Sequence, residues 1–114
     1  MSNVENINLA SMNMILSAGN ARELYNQSMD CVENGDFAEG ERLLARAEQE
    51  ITEAHKLQTR LLQEAIEEEH PTITVLMVHA QDTIMAVDSE IRLIRRLQKL
   101  YRNLACGKEE EGGI

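Results

Sequence analysis

Apolar residues recur along this chain at alternating spacings of three and four, as they do in helices that bury one side. In the middle third the seam is Leu44, Ala47, Ile51, Ala54, Gln58, Leu61 and Ala65, a coiled-coil-like period in which the alanines admit a close neighbour. Gln58 is its one polar member. The last third carries two stripes. One is Ile73, Met77, Ala80, Ile84, Val87, Ile91 and Ile94; the other is Leu76, Leu93, Leu97, Leu100 and Leu104, with Ala86 between them. Together they span more than one face of a three-helix hairpin can cover, and apolar surface of that width marks an interface. The third helix is therefore expected to bury one side within its own chain and the other against sister copies.

Punctuation divides the pattern into three long helices and an all-α fold. The first runs from about Val4 to Glu33 and ends at Asn34-Gly35, where glycine supplies a left-handed cap. Asp36 caps the second helix, with Glu39 three residues on in a capping-box pattern, and this helix continues to about Ile66. So short a loop makes the first two helices antiparallel neighbours. Glu67 to His70 reads as the second loop. Pro71 suits the first turn of the third helix, which is expected to stop near Cys106 before Gly107. Residues 1–106 thus form one domain, and the Gly- and Glu-rich residues 107–114 a flexible tail.

Composition narrows the function. The 114 residues carry a net charge of −9, which argues against nucleic acid and anionic membranes as partners. Aromatics are 3% and there is one proline, so helix formers dominate. No apolar run approaches the roughly 20 residues of a membrane span, and no signal segment opens the chain. A cytoplasmic protein is expected, without direct membrane insertion. Cys31 and Cys106 are then reduced and mostly buried.

Within the apolar third helix, Val78-His79-Ala80-Gln81-Asp82 sets an imidazole and a carboxylate at i, i+3, on one face. Both are costly to bury unpaired. Three readings stand: a hydrogen-bonded structural histidine, a metal ligand that needs Asp82 repeated by symmetry to complete its donor set, or a nucleophile toward phosphorus. Three copies closing by cyclic symmetry into one larger bundle suit the helix count, although a dimer fits as well. His55, beside the seam of the second helix, reads as a structural group.

Met77-Val78-His79-Ala80-Gln81-Asp82-Thr83-Ile84-Met85 resembles the active-site segment of the enzyme IIA component of the lactose/cellobiose class, diacetylchitobiose-type proteins included, in the bacterial phosphoenolpyruvate-dependent sugar phosphotransferase system. Ala18-Gly19-Asn20-Ala21-Arg22, Asn34-Gly35-Asp36-Phe37 and Glu53-Ala54-His55 followed by Gln58-Thr59 resemble other family segments, in the right order over about residues 10 to 104. The resemblance implies three antiparallel helices per subunit, trimerising into a nine-helix bundle. It implies phosphorylation of His79 by the carrier protein HPr and onward transfer to a cysteine of enzyme IIB. It also implies that Asp82 from each subunit meets near the trimer axis around a divalent cation such as Mg2+. Gln81, His55, Gln58 and Thr83 are candidate donors to the phosphoryl group. Thr83 departs from the family, whose members commonly carry a second histidine there. The alternative is a regulatory or adaptor helical bundle with no transport role.

Overall fold

A computed structural model describes residues 3–112, the side chains of 108–112 excepted. It is a rod of 69 × 19 × 17 Å made of α1 (Asn3–Glu33), α2 (Phe37–Glu67) and α3 (Val75–Gly112). The reversal between α1 and α2 is as compact as the sequence predicts. Gly35 takes φ 85°, Asp36 N–H reaches Cys31 O at 2.8 Å and Gly35 N–H reaches Val32 O at 3.0 Å, which together close a Schellman motif. Asp36 then accepts from Glu39 N–H at 3.3 Å. The reciprocal half of the capping box is not made, because the Glu39 carboxylate turns to Arg42 instead.

The second connection is longer than expected. Helix α3 does not begin at Pro71 but at Val75, leaving an extended segment of β-branched residues, Thr72-Ile73-Thr74, after the proline. Thr74 is the cap. Its hydroxyl accepts from Met77 N–H at 3.1 Å and donates to Asn8 of α1 at 2.7 Å, so a contact between helices fixes where α3 starts. Ile73 is consequently exposed in the loop and leaves the core stripe.

At its other end α3 passes through Gly107 to Gly112. Gly107 is not at positive φ, and no proline follows to force a stop; a lone glycine in a helix costs only about 1 kcal/mol. Of the expected tail, residues 113 and 114 lie outside the described residues. Cys31 is half-buried and Cys106 exposed, and both are free thiols, so burial does not hold for Cys106.

The three helices run up, down and up. Asn8 with Thr74, Arg22 with Glu90, and Ser28 with Gln98 show α1 and α3 to be parallel, while Arg95 of α3 reaches both Glu48 and Glu41 of the antiparallel α2. The core follows the predicted seams of α2 and α3, with Leu44, Ala47, Ile51, Ala54 and Leu61 from α2 and Met77, Ala80, Ile84, Val87 and Ile91 from α3, and α1 adds Met14, Ala18 and Ala21. Each large side chain buried there contributes about 1.5–3 kcal/mol. Near the hairpin turn the seam becomes polar. Gln98 is fully buried and donates to Ser28 Oγ at 2.8 Å, and Ser28 in turn donates to the carbonyl of Gly40.

Candidate functional site

His79 is the fifth residue of α3, and both it and Asp82 are exposed. The burial expected of them is absent within one chain because the helix turns its core stripe the other way. At about 100° per residue, Asp82 lies nearly opposite that stripe. It shares an outward line with Val78 and Leu93, which remain 49% and 68% exposed. Asp82 is thus a carboxylate set into an unpartnered apolar line.

The flanks of that line differ. His79 lies eleven residues, about three turns, before Glu90, and the two therefore share a face. Glu90 looks to α1, where it accepts two bonds of 3.2 Å from Arg22 and one from the Tyr25 hydroxyl. Burial pushes the Glu90 carboxyl up, but the hydrogen bonds from Tyr25 and Arg22 outweigh it and hold the group below the usual carboxylate range. Burial, and then the bond to Glu90, push the Tyr25 hydroxyl up. Gln81 lies seven residues before Asp88, on the flank toward α2. There His55 Nε2 stands 3.5 Å from Asp88 Oδ1, His55 Nδ1 stands 3.2 Å from Gln58 Oε1, and Arg92 closes on Asp88 at 3.0 Å.

The sequence-predicted residues thus form two groups rather than one. His79 and Thr83 are on the α1 side of the outward line. Gln81, His55 and Gln58 are on the α2 side, and Asp88 is nine residues, about 13 Å, along the axis from His79. Thr83 donates its hydroxyl to the His79 carbonyl at 2.8 Å. Asp88, which pairs with His55, Arg92, which closes on Asp88, and Glu90, which shares the His79 face, were not singled out by sequence reasoning. The available signal was their register, seven and eleven residues from Gln81 and His79.

The imidazole of His79 has no hydrogen-bond or ionic partner among the described residues, unlike that of His55. A structural histidine inside a fold is satisfied by its neighbours; an open one is free to act as a nucleophile toward a partner protein. Among the described residues, no three His, Cys, Asp or Glu side chains of one chain converge on a metal position. Asp82 alone offers one carboxylate, so the donor set suits a hard divalent cation only where copies of the chain bring several Asp82 side chains together. No helix among the described residues is long and apolar enough to cross a membrane.

Comparison with known proteins agrees with the three-helix fold. Residues 9–102 match the family described as the lactose/cellobiose-specific IIA subunit of the phosphotransferase system. The lactose-specific EIIA component of Lacticaseibacillus casei is 34% identical over 107 residues, covering 88% of this chain and 96% of that protein. The crystal structure of the cellobiose-specific enzyme IIA of Bacillus anthracis superposes with a TM-score of 0.81 at 32% identity, covering 93% of this chain and 94% of the other. The IIA(chitobiose) of the Escherichia coli diacetylchitobiose branch, solved in complex with HPr, gives a TM-score of 0.77 at 27% identity over 92% of this chain and 99% of that one. A three-helix bundle with an open histidine near the start of its third helix, matched along nearly its whole length, belongs to the lactose/cellobiose-specific IIA family of the sugar phosphotransferase system and is a phosphoryl carrier of that system.

Proposed function

We propose that His79 is the residue that carries the phosphoryl group. A ring nitrogen of His79 attacks phosphorus of a phosphohistidine on HPr, the P–N bond of the donor breaks, and the donor imidazole leaves. In the second half-reaction a cysteine thiolate of enzyme IIB attacks the phosphorus on His79 and restores the free imidazole. The observation that carries this reading is the open state of the His79 ring on an exposed face, since transfer between two proteins requires that the nucleophile project where a partner can reach it. The transition state is loose and spreads its charge over the phosphoryl oxygens, so the protein's part is positioning and hydrogen bonding.

The same reading makes the assembly a homotrimer in the cytoplasm. The outward line of α3 offers the surface, and a cyclic arrangement requires the α1-side flank of one copy to face the α2-side flank of the next. His79 of one copy would then look toward Gln81 of its neighbour, with Gln58 and His55 beyond it, which reunites the two groups that one chain keeps apart. Asp82, nearly opposite the intrachain core, would face the axis. Three such carboxylates form an oxygen donor set for a divalent cation such as Mg2+, which would supply the positive charge that offsets their repulsion.

The test is incubation with phosphoenolpyruvate, enzyme I and HPr, followed by intact-mass measurement. The expected result is a gain of one acid-labile phosphate in the wild type and none in His79→Ala. Persistence of the gain in His79→Ala would remove His79 from the role.

A further inference from the structure

One edge of the bundle carries a ladder of ionic rungs between α2 and α3. Glu41 faces Arg102 at 3.6 Å, Glu48 faces Arg95 at 3.0 Å, and His55 faces Asp88 at 3.5 Å. Each rung lies seven residues from the last on both helices, the step that keeps side chains on one edge of packed helices. The next step in the same register sets Leu62 opposite Gln81, so the ladder runs up to the residue two places from His79. Its polarity reverses on the way. The first two rungs put the acid on α2 and the cation on α3. The third puts the acid on α3, and the ring of His55 stands where its cation would be.

The hydrogen-bonding positions around that ring are specific. Nε2 faces Asp88 Oδ1, and Nδ1 faces Gln58 Oε1 at 3.2 Å. Both neighbours are acceptors, and an imidazole donates from both nitrogens only as the imidazolium. Asp88 is held in turn by Arg92, which takes its other oxygen, Oδ2, at 3.0 Å and leaves Oδ1 to the ring. With its carbonyl turned to His55, Gln58 directs its NH2 group elsewhere, and that group has no partner among the described residues. A neutral ring protonated toward Asp88 would reverse the arrangement. Nδ1 would then accept, the amide would turn over to donate to it, and the Gln58 carbonyl would be presented instead.

We infer that Asp88 and His55 are positioning residues that hold the Gln58 amide with its N–H donors free for the phosphoryl group on His79 of the neighbouring copy. The inference rests on the homotrimer reading above, in which Gln58 comes to that site, and adds what orients it. Phosphoryl oxygens accept hydrogen bonds and cannot donate them once ionised, so an amide that presented its carbonyl would repel them. Its N–H donors instead meet the charge that spreads over those oxygens during transfer. Asp88 acts through His55, and His55 through Gln58.

A double-mutant cycle tests the relay. Single-turnover phosphorylation of the full chain by phospho-HPr is compared for Asp88→Asn and His55→Gln, each alone and combined with Gln58→Ala. Asp88→Asn removes the charge and keeps the shape. His55→Gln keeps a donor toward Asp88 and removes the nitrogen that faces Gln58, and it decides the matter if Asp88→Asn fails to fold. Each is expected to slow phosphorylation about fivefold when Gln58 is present, the worth of one hydrogen bond. In the Gln58→Ala background each is expected to change the rate by less than about twofold. Losses of equal size in both backgrounds would mark Asp88 and His55 as merely structural and overturn the relay. A Gln58→Ala variant that is slow while Asp88→Asn and His55→Gln match wild type would overturn the relay and leave Gln58 at the phosphoryl site. A Gln58→Ala variant as fast as wild type would remove Gln58 from that site and the relay with it.

Discussion

Thr83 donates its hydroxyl to the carbonyl oxygen of His79, one turn back on α3, at 2.8 Å. The residue that replaces the family's second histidine therefore commits its only proton to the backbone. Thr83→Val is expected to leave the rate of phosphoryl acceptance from HPr within about twofold of wild type. A neutral hydrogen bond contributes about 1 kcal/mol, which is roughly fivefold in rate. A loss of that size in single-turnover kinetics would mean that the hydroxyl swings to a phosphoryl oxygen during transfer.

Gly40 lets α2 cross close to the last turns of α1. A Cβ there would stand 2.6 Å from Val32 Cγ2 and 3.2 Å from the Ser28 carbonyl, and valine has little rotamer freedom with which to retreat. Gly40→Ala should therefore destabilise by about 1–3 kcal/mol despite its better helix propensity. Gly19 is the internal control, since nothing lies within 4 Å of its would-be Cβ. Gly19→Ala should gain about 0.5–1 kcal/mol. Urea unfolding of both variants reads the contrast, and equal shifts in one direction would refute the packing account of Gly40.

How much of this was legible in the sequence depends on how local each determinant is. The turn Asn34-Gly35-Asp36 is specified by neighbouring residues, and its place was readable. The start of α3 is specified by Thr74 reaching Asn8 on another helix, which no local rule contains, and Pro71 drew the boundary too early. Gln98 is a polar residue fully buried because Ser28 receives it, and only tertiary pairing reveals that. The division of His79 from Gln81 was available from a count of 100° per residue. The role of His79 came from family resemblance, since the residues alone left a structural histidine and a metal ligand open.

The link between α2 and α3 at Arg95 predicts a pH dependence. The hydrogen bond from Arg95 holds the Glu41 carboxyl below the usual carboxylate range, against burial, which pushes it up; Arg102 adds to the lowering. A carboxyl lowered in the folded state stabilises above its unfolded pKa of about 4.3 and loses that contribution as pH falls through the folded value. Glu41 is partly open to solvent, so its contribution is about 0.5 kcal/mol. Glu41→Gln should lower Tm by about 3 °C at pH 6, and the gap to wild type should close as pH falls from about 5 to 3. A gap of constant size in thermal scans across that range would show that the ion pair is not its source.

Asp82 carries the sharpest consequence for the assembly. In the proposed trimer, Asp82 carboxylates of neighbouring copies about 4 Å apart at the axis would repel by roughly 4 kcal/mol per pair at an effective dielectric of 20. A bound divalent cation would relieve that repulsion. The wild type is therefore expected to lose assembly stability on chelation with EDTA and to regain it with added Mg2+. Asp82→Leu continues the apolar line of Val78 and Leu93 across this layer, and it should be more stable than wild type in EDTA and indifferent to Mg2+. Thermal scans and sedimentation of both proteins, with and without chelator, measure the response. A wild type unmoved by chelator, together with an Asp82→Leu variant of unchanged stability, would mean that the Asp82 side chains do not meet.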